Sequence, residues 1–302
     1  MSKLLHLKTI SDLYRFLDLG YANHPLIAVI DFGKLWDHSS EEIPLKTDFY
    51  SIMFKNYCRN HIRYGRKTVD FQDGSLLCIS PNQLITIDND VEIADNMQGW
   101  GLFFHPDLIR GTPLGYRIKD YTFFSYEISE ALHLSNKEKE TLYDCIVKIQ
   151  EELAENIDNH SQNLLVSVIE LLLNYCSRYY SRQFITRKSL NSDIVVKVQQ
   201  ILRFHFEQED KNADGLPSVK FLANKLNLSP NYLSDLLKRE TGLNAQDHIH
   251  YAVIEEAKTL LIQSNRSVSE VAYSLGFEYP QYFSRLFKQK TGKTPIEFRS
   301  TL

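Results

Sequence analysis

The sequence predicts a two-domain α+β protein, with a β-rich N-terminal half and an all-helical C-terminal domain. Three observations carry that expectation. The chain has 302 residues, more than one core usually serves, because single domains stop growing near ~250–300 residues. Its N-terminal third is a series of short β-branched and aromatic runs, whereas apolar residues recur at helical spacing after about residue 136. A stretch of eleven residues also occurs twice, as YLSDLLKRETG at 232–242 and YFSRLFKQKTG at 282–292. Six positions are identical and two more exchange Leu for Phe.

In chain order, PLIAVIDF (25–32), DFYSIMFK (48–55) and SLLCIS (75–80) read as strands, separated by Gly, Pro, Asn and Asp. GWGLFFHPDL (99–108) reads as a last strand running into a turn at Pro106. Strands at this spacing fit a sandwich or a small barrel. The half is rich in aromatic residues, and Trp36, Tyr50, Phe54 and Trp100 are the candidates for an effector pocket; the plainer alternative makes them core. A metalloenzyme built here would need clustered histidines, yet His24, His38, His61 and His105 are scattered, with no H-x-H pair. They read as surface, turn or packed residues, and neither a metal nor a cofactor is expected.

From 136 the period changes. Leu142, Ile146, Ile149 and Leu153 form one helical stripe, and Leu164, Val168, Leu171 and Tyr175 a second. Ser135 supplies a start signal, and DNHS (158–161) allows the helices to fold back as a hairpin. Two readings remain open: both stripes cover the β-rich part, or the second makes a dimer contact. The expected division is therefore 1–135 for the β-rich domain, 136–185 for the hairpin, 186–192 for a linker and 193–302 for a helical domain.

Overall, 34 Lys and Arg face 38 Asp and Glu, but the distribution is uneven: residues 186–302 hold 16 basic and 13 acidic side chains, leaving the excess acid to the N-terminal part. A basic C-terminal end suggests a polyanionic partner. The four cysteines show no metal or redox spacing, which suits a reduced compartment. The start, MSKLLHLKTI, lacks the apolar run of a signal peptide, and no run of ~18 apolar residues could span a bilayer. A cytoplasmic protein with no membrane segment is expected.

The repeat extends beyond the quoted stretch. VKFLANKLNL (219–228) aligns with VSEVAYSLGF (268–277), and one additional residue in the second copy then moves the offset from 49 to 50. Each copy has a small residue, Ala223 or Ala272, where a second helix must cross closely. Asn227 or Gly276 follows, types that tolerate a left-handed backbone. Pro230 or Pro280 stands near the first turn of the next helix, with Ser229 as an N-cap in the first copy, and Gly242 or Gly292 caps the end. This is the logic of a helix-turn-helix, duplicated. Between the copies, AQDHIHYAVIEEAKTLLIQ (245–263) reads as one helix of roughly 28 Å, matched to the ~34 Å between successive major grooves.

Residues 193–300 resemble the DNA-binding domain of the AraC/XylS family of bacterial transcription regulators. SVSEVAYSLGFEYPQYFSRLFKQKTGKTPIEFR (267–299) is similar to that family's signature throughout. The resemblance implies a transcription regulator, usually an activator, with two helix-turn-helix units joined by a long helix. It further implies a cupin-like β-barrel for effector binding, a helical homodimer contact and RNA polymerase as a partner. Val253 departs from the family, which commonly has Arg there.

In such a unit the exposed N-terminal part of the second helix faces base edges. In the second copy that face offers Tyr279, Gln281, Tyr282 and Arg285, with Arg285 suited to guanine and Gln281 to adenine. Gln281 and Arg285 also match the base-reading places of the family's second unit. In the first copy it offers Asn231, Ser234 and Asp235. Lys238, Arg239, Lys288, Lys290 and Lys293 are placed for phosphates. The expectation is a non-enzymatic regulator that binds double-stranded DNA and senses an effector, a small-molecule or protein signal, through its β-half. The alternatives are a cupin-type metalloenzyme, or a DNA-binding adaptor whose β-half binds a protein.

Overall fold

The structure, a computed structural model, describes residues 4–34, 43–55, 62–64, 67–68, 74–87, 99–126, 130–186, 188–207, 215–263 and 266–300. It divides into two compact units, Met1–Thr186 and Arg187–Leu302.

The first unit begins with β1 (Leu5–Leu7), α1 (Ile10–Phe16) and β2 (Ile27–Asp31). Next come β3 (Ile43–Thr47), β4 (Tyr50–Lys55), β5 (Ile62–Tyr64), β6 (Lys67–Thr68), β7 (Ser75–Ile79), β8 (Leu84–Ile87) and β9 (Gly99–Phe104). Two short helices, α2 (Pro106–Ile109) and α3 (Pro113–Arg117), then lead to β10 (Leu132–His133), α4 (Asn136–Ala154) and α5 (Ser161–Thr186). Pro106, expected in a turn, is the first residue of α2, where its missing N–H costs nothing.

The strands form two five-stranded sheets, β1-β3-β8-β5-β6 and β10-β7-β4-β9-β2. Every pairing is antiparallel except β1 with β3. The expected barrel is not closed: among the described residues no ladder joins the sheets. Three of the four outermost strands, β1, β6 and β10, are only two or three residues long, which leaves few backbone groups to pair across a seam. The sheets instead share a core, in which Leu7, Leu45 and Ile85 of the first meet Ala28, Ile30, Leu77, Ile79 and Phe103 of the second, with Ile10 and Leu13 of α1.

The second sheet is buried on its other face as well, which is why β7 and β9 read as near-continuous apolar runs. On that face Tyr50 stacks on Phe104 at 5.0 Å and meets Phe124 edge-on at 4.9 Å, while Phe123 stacks on Tyr180 of α5 at 5.4 Å. Gln183 of α5 accepts from the His133 N–H at 2.8 Å and donates to the Ala131 carbonyl at 3.2 Å.

The α4–α5 hairpin forms as the two stripes require, but only the first stripe is covered. Leu142, Ile146 and Ile149 are buried, whereas α5 turns Leu165, Ile169, Leu172 and Cys176 inward. The neighbouring stripe faces outward: Leu164 is 52% exposed, Leu171 44%, and Val168 and Tyr175 are half-buried.

Among its described residues the second unit's regular structure is all helical: α6 (Lys188–Glu207), α7 (Val219–Leu226), α8 (Pro230–Thr241), α9 (Ala245–Gln263), α10 (Val268–Ser274), α11 (Pro280–Thr291) and α12 (Pro295–Ser300). Residues 188–192, expected in a linker, are the first turns of α6, because LNSDIVVKV carries no Gly or Pro to stop a helix. One core joins α6 to both repeats through Val198, Leu202, Leu222, Leu237, Ile249, Val253, Val271 and Phe283. Val253 is fully buried there, so the position where the family carries Arg is an apolar contact in this chain.

Candidate nucleic-acid interface

Each repeat builds its turn from the same bonds. Asn227 closes α7 in the left-handed region at φ 57°, and Gly276 follows α10 at φ 88°. The Leu228 N–H reaches back to the Ala223 carbonyl at 2.9 Å, and Phe277 to Ala272 at 3.0 Å. These bonds satisfy orphan carbonyls at the helix end and set the crossing of the next helix. Gly276 is required twice over, since a Cβ there would also fall 2.5 Å from the Gly215 carbonyl carbon. Gly242 and Gly292 end the second helices, each at φ 79°.

The N-caps differ. Ser229 is buried and its hydroxyl accepts from the Tyr232 N–H at 3.2 Å. The additional residue of the second copy places Tyr279 at the cap of α11, where no side chain bonds the backbone. Tyr279 instead projects outward and meets Tyr282 edge-on at 5.7 Å.

On α11 the buried side is Phe283 and Phe287. Gln281, Tyr282, Arg285, Lys288 and Gln289 are exposed on the other, so the sequence-predicted readers do share a face. The Arg285 guanidinium lies over the Tyr282 ring, 5.3 Å from its centre, a cation–π contact. Lys290 donates to Asp247 of α9 at 3.1 Å, so it ties two helices together. That contact is the first cause holding the Asp247 carboxyl below its usual range. Lys293 is exposed beyond the helix end.

On α8, Asn231, Lys238 and Arg239 are exposed, and Asp235 is half-buried. Ser234 is half-buried and its hydroxyl accepts from the Ala245 N–H at 3.3 Å, so it serves the start of α9. Tyr232, the counterpart of Tyr282, is buried. This face offers fewer donors than its partner.

Sequence reading missed Arg299, whose Nε donates to the Leu261 carbonyl at 2.9 Å and whose Nη2 donates to Arg266 at 2.7 Å. It closes the far end of the long helix, and only the fold brings those positions together. It missed His250 too, which lines a shallow cavity beside α11.

In the first unit Trp36, His38 and His61 lie outside the described residues. Tyr50, Phe54 and Trp100 share the helix-covered face of the second sheet, Phe54 meeting Trp100 at 5.9 Å. They therefore do not line the space between the sheets. Lys55 does point inward, 5.3 Å from the Phe32 ring centre, and burial lowers its amine to about 8. His24 and His105 each accept a backbone N–H two residues on. Among the described residues no group of three His, Cys, Asp or Glu could hold a metal ion. Nor, among the described residues, is any helix long and apolar enough to cross a membrane.

Residues 222–301 match the family model of a helix-turn-helix domain. The chain is 39% identical over 72 residues to the uncharacterized HTH-type transcriptional regulator YijO of Escherichia coli, covering 24% of this chain and 25% of that protein. It is 33% identical over 93 residues to the bifunctional transcriptional activator/DNA repair enzyme AdaA of Bacillus subtilis, 31% of this chain and 44% of that one. It is 28% identical over 141 residues to the arabinose operon regulatory protein of Escherichia coli, 47% and 45%. The chain thus spans from about a quarter to less than half the length of these relatives. With its paired turns and bridging helix, the C-terminal unit carries an AraC-type helix-turn-helix domain over residues 222–301.

Proposed function

We propose that the chain is a sequence-specific DNA-binding transcription regulator of the activator type, cytoplasmic and without enzymatic activity, which binds double-stranded DNA as a homodimer. The observation that carries the reading is the exposed face of α11, where Gln281, Tyr282 and Arg285 stand together on a rigid helix. Such a face fits the major groove. Tyr279, Gln281, Tyr282 and Arg285 read bases in the second copy, with Asn231 and Asp235 contributing in the first. Lys238, Arg239, Lys288 and Lys293 contact phosphates.

The dimer contact is the outward stripe Leu164, Val168, Leu171 and Tyr175 of α5, of which Leu164 and Leu171 are exposed and the other two half-buried. Two exposed leucines one helical stripe apart are costly to leave in water and suit a second copy of the same helix. The β-rich domain, cupin-like in this reading, senses an effector, and RNA polymerase is the second protein partner; both follow from the family resemblance.

The test is binding of the full chain and of Arg285→Ala to genomic fragments across a salt series. The expected result is selection of a few promoter fragments, steep weakening with salt, and a loss of about 1–3 kcal/mol of base discrimination in the variant. Equal binding of all fragments by both proteins would refute the reading. In sedimentation, Leu171→Glu should turn a dimer into a monomer, and a dimer that survives it would place the contact elsewhere.

A further inference from the structure

A shallow cavity of about 320 Å³ lies between the start of α9 and the outer face of α11, lined by His250, Phe277, Tyr282, Arg285, Leu286 and Gln289. We infer that this cavity seats one phosphate and its sugar from the DNA backbone, with His250 and Gln289 on the phosphate. The start of the bridging helix thereby becomes part of the interface. The inference deepens the DNA-binding reading and rests on it.

Three features of the site support it. Tyr282 and Arg285 line the cavity and also belong to the exposed base-reading face, so the cavity opens on the side where DNA would lie. Its lining is divided between apolar Phe277 and Leu286, which suit a deoxyribose, and polar His250 and Gln289, which suit phosphate oxygens. The His250 ring is also already oriented, because Gln246, one turn earlier on α9, bonds Nε2 at 2.9 Å. The Gln246 amide nitrogen donates to the neutral ring, and a flip of the amide would present its oxygen to a protonated one.

The charges around His250 decide the direction of the effect. Asp247 lies on its own helix, and Tyr282, Arg285 and Lys290 stand on α11. Burial, and then Lys290, hold the ring below its usual range, against the opposing pull of Asp247. The free protein therefore carries a neutral His250 near neutral pH. An arriving phosphate favours the protonated ring, so binding takes up a proton. Affinity should then rise as pH falls through the histidine range, and be weakest above it.

The experiment measures binding of the full chain to a random-sequence duplex and to a selected promoter fragment, between about pH 7.5 and 5.5 and over a salt series. Wild type, His250→Gln, His250→Lys, His248→Gln and Arg285→Ala are compared. Wild type is expected to tighten on acidification, by up to about tenfold for one unit of pKa difference between free and bound states. His250→Gln should flatten this response on both DNAs while still preferring the promoter fragment. His250→Lys should bind tightly at all these pH values, and its salt slope should exceed that of His250→Gln by about 0.9. His248→Gln should behave as wild type, because its ring bonds Thr241 instead. Superimposable pH and salt profiles for wild type, His250→Gln and His250→Lys would overturn the inference and leave the DNA reading intact. Failure of wild type to bind any DNA would overturn both.

Discussion

In the first helix-turn-helix copy Tyr232 is buried and Asp235 follows it; in the second, Tyr282 is half exposed and Arg285 takes the matching place. The backbones around these residues are alike, down to the paired bonds from Leu228 to Ala223 and from Phe277 to Ala272. The copies therefore hold the same shape and present different chemistry. A single additional residue contributes to the difference. The second copy has exchanged the serine cap of its recognition helix for Tyr279, giving up a backbone bond and gaining an aromatic edge beside Tyr282. One copy is built for cohesion and the other for contact.

The comparison can be broken most forcefully in the core. Phe283 and Leu233 occupy equivalent buried places. Phe283→Ala should destabilise the C-terminal unit by about 3–5 kcal/mol and Leu233→Ala by about 2–5 kcal/mol, read by denaturant unfolding. Both should melt the same cooperative transition, because α9 joins the two copies in one core. Two separate transitions would show that the repeats fold independently.

Smaller effects sharpen it. Asp235→Asn should tighten binding of a random-sequence duplex by a few-fold, since a carboxylate beside DNA costs affinity unless a base donates to it, and should narrow the preference for the promoter fragment. Unchanged binding would place Asp235 away from DNA. At the caps, Ser229→Ala should lose about 1 kcal/mol of stability, while Tyr279→Ser should gain up to about that amount and weaken promoter binding. If Tyr279→Ser left binding intact, the lost cap would have no functional counterpart.

The smallest effect belongs to the link between α9 and α11. Lys290→Gln should cost no more than about 1 kcal/mol, as exposed pairs do, and less at high salt. Because Lys290 lowers the Asp247 carboxyl, that contribution is present above the carboxyl's unfolded-state value and disappears as pH falls through its lower folded value. Acid titration of stability in wild type and variant should converge at low pH.

The sequence by itself determined the local geometry of the C-terminal unit. Asn227, Gly276, Pro230, Pro280, Gly242 and Gly292 act through backbone conformation within a few residues, and such constraints are visible in a single chain. Helical period likewise placed α9 at 245–263 and the buried stripe of α4. Tertiary structure decided the rest. It turned Leu165, Ile169 and Leu172 of α5 inward and left Leu164 and Leu171 outside, since two adjacent apolar stripes satisfy the same period. Tyr50, Phe54 and Trp100 went to the helix-covered face of the second sheet because strand alternation fixes parity but not which face is which. The fold also brought His250 beside Gln289, and Arg299 to the end of α9, across separations of 39 and 38 residues. Contacts of that kind follow from how helices pack against each other, which no local spacing records.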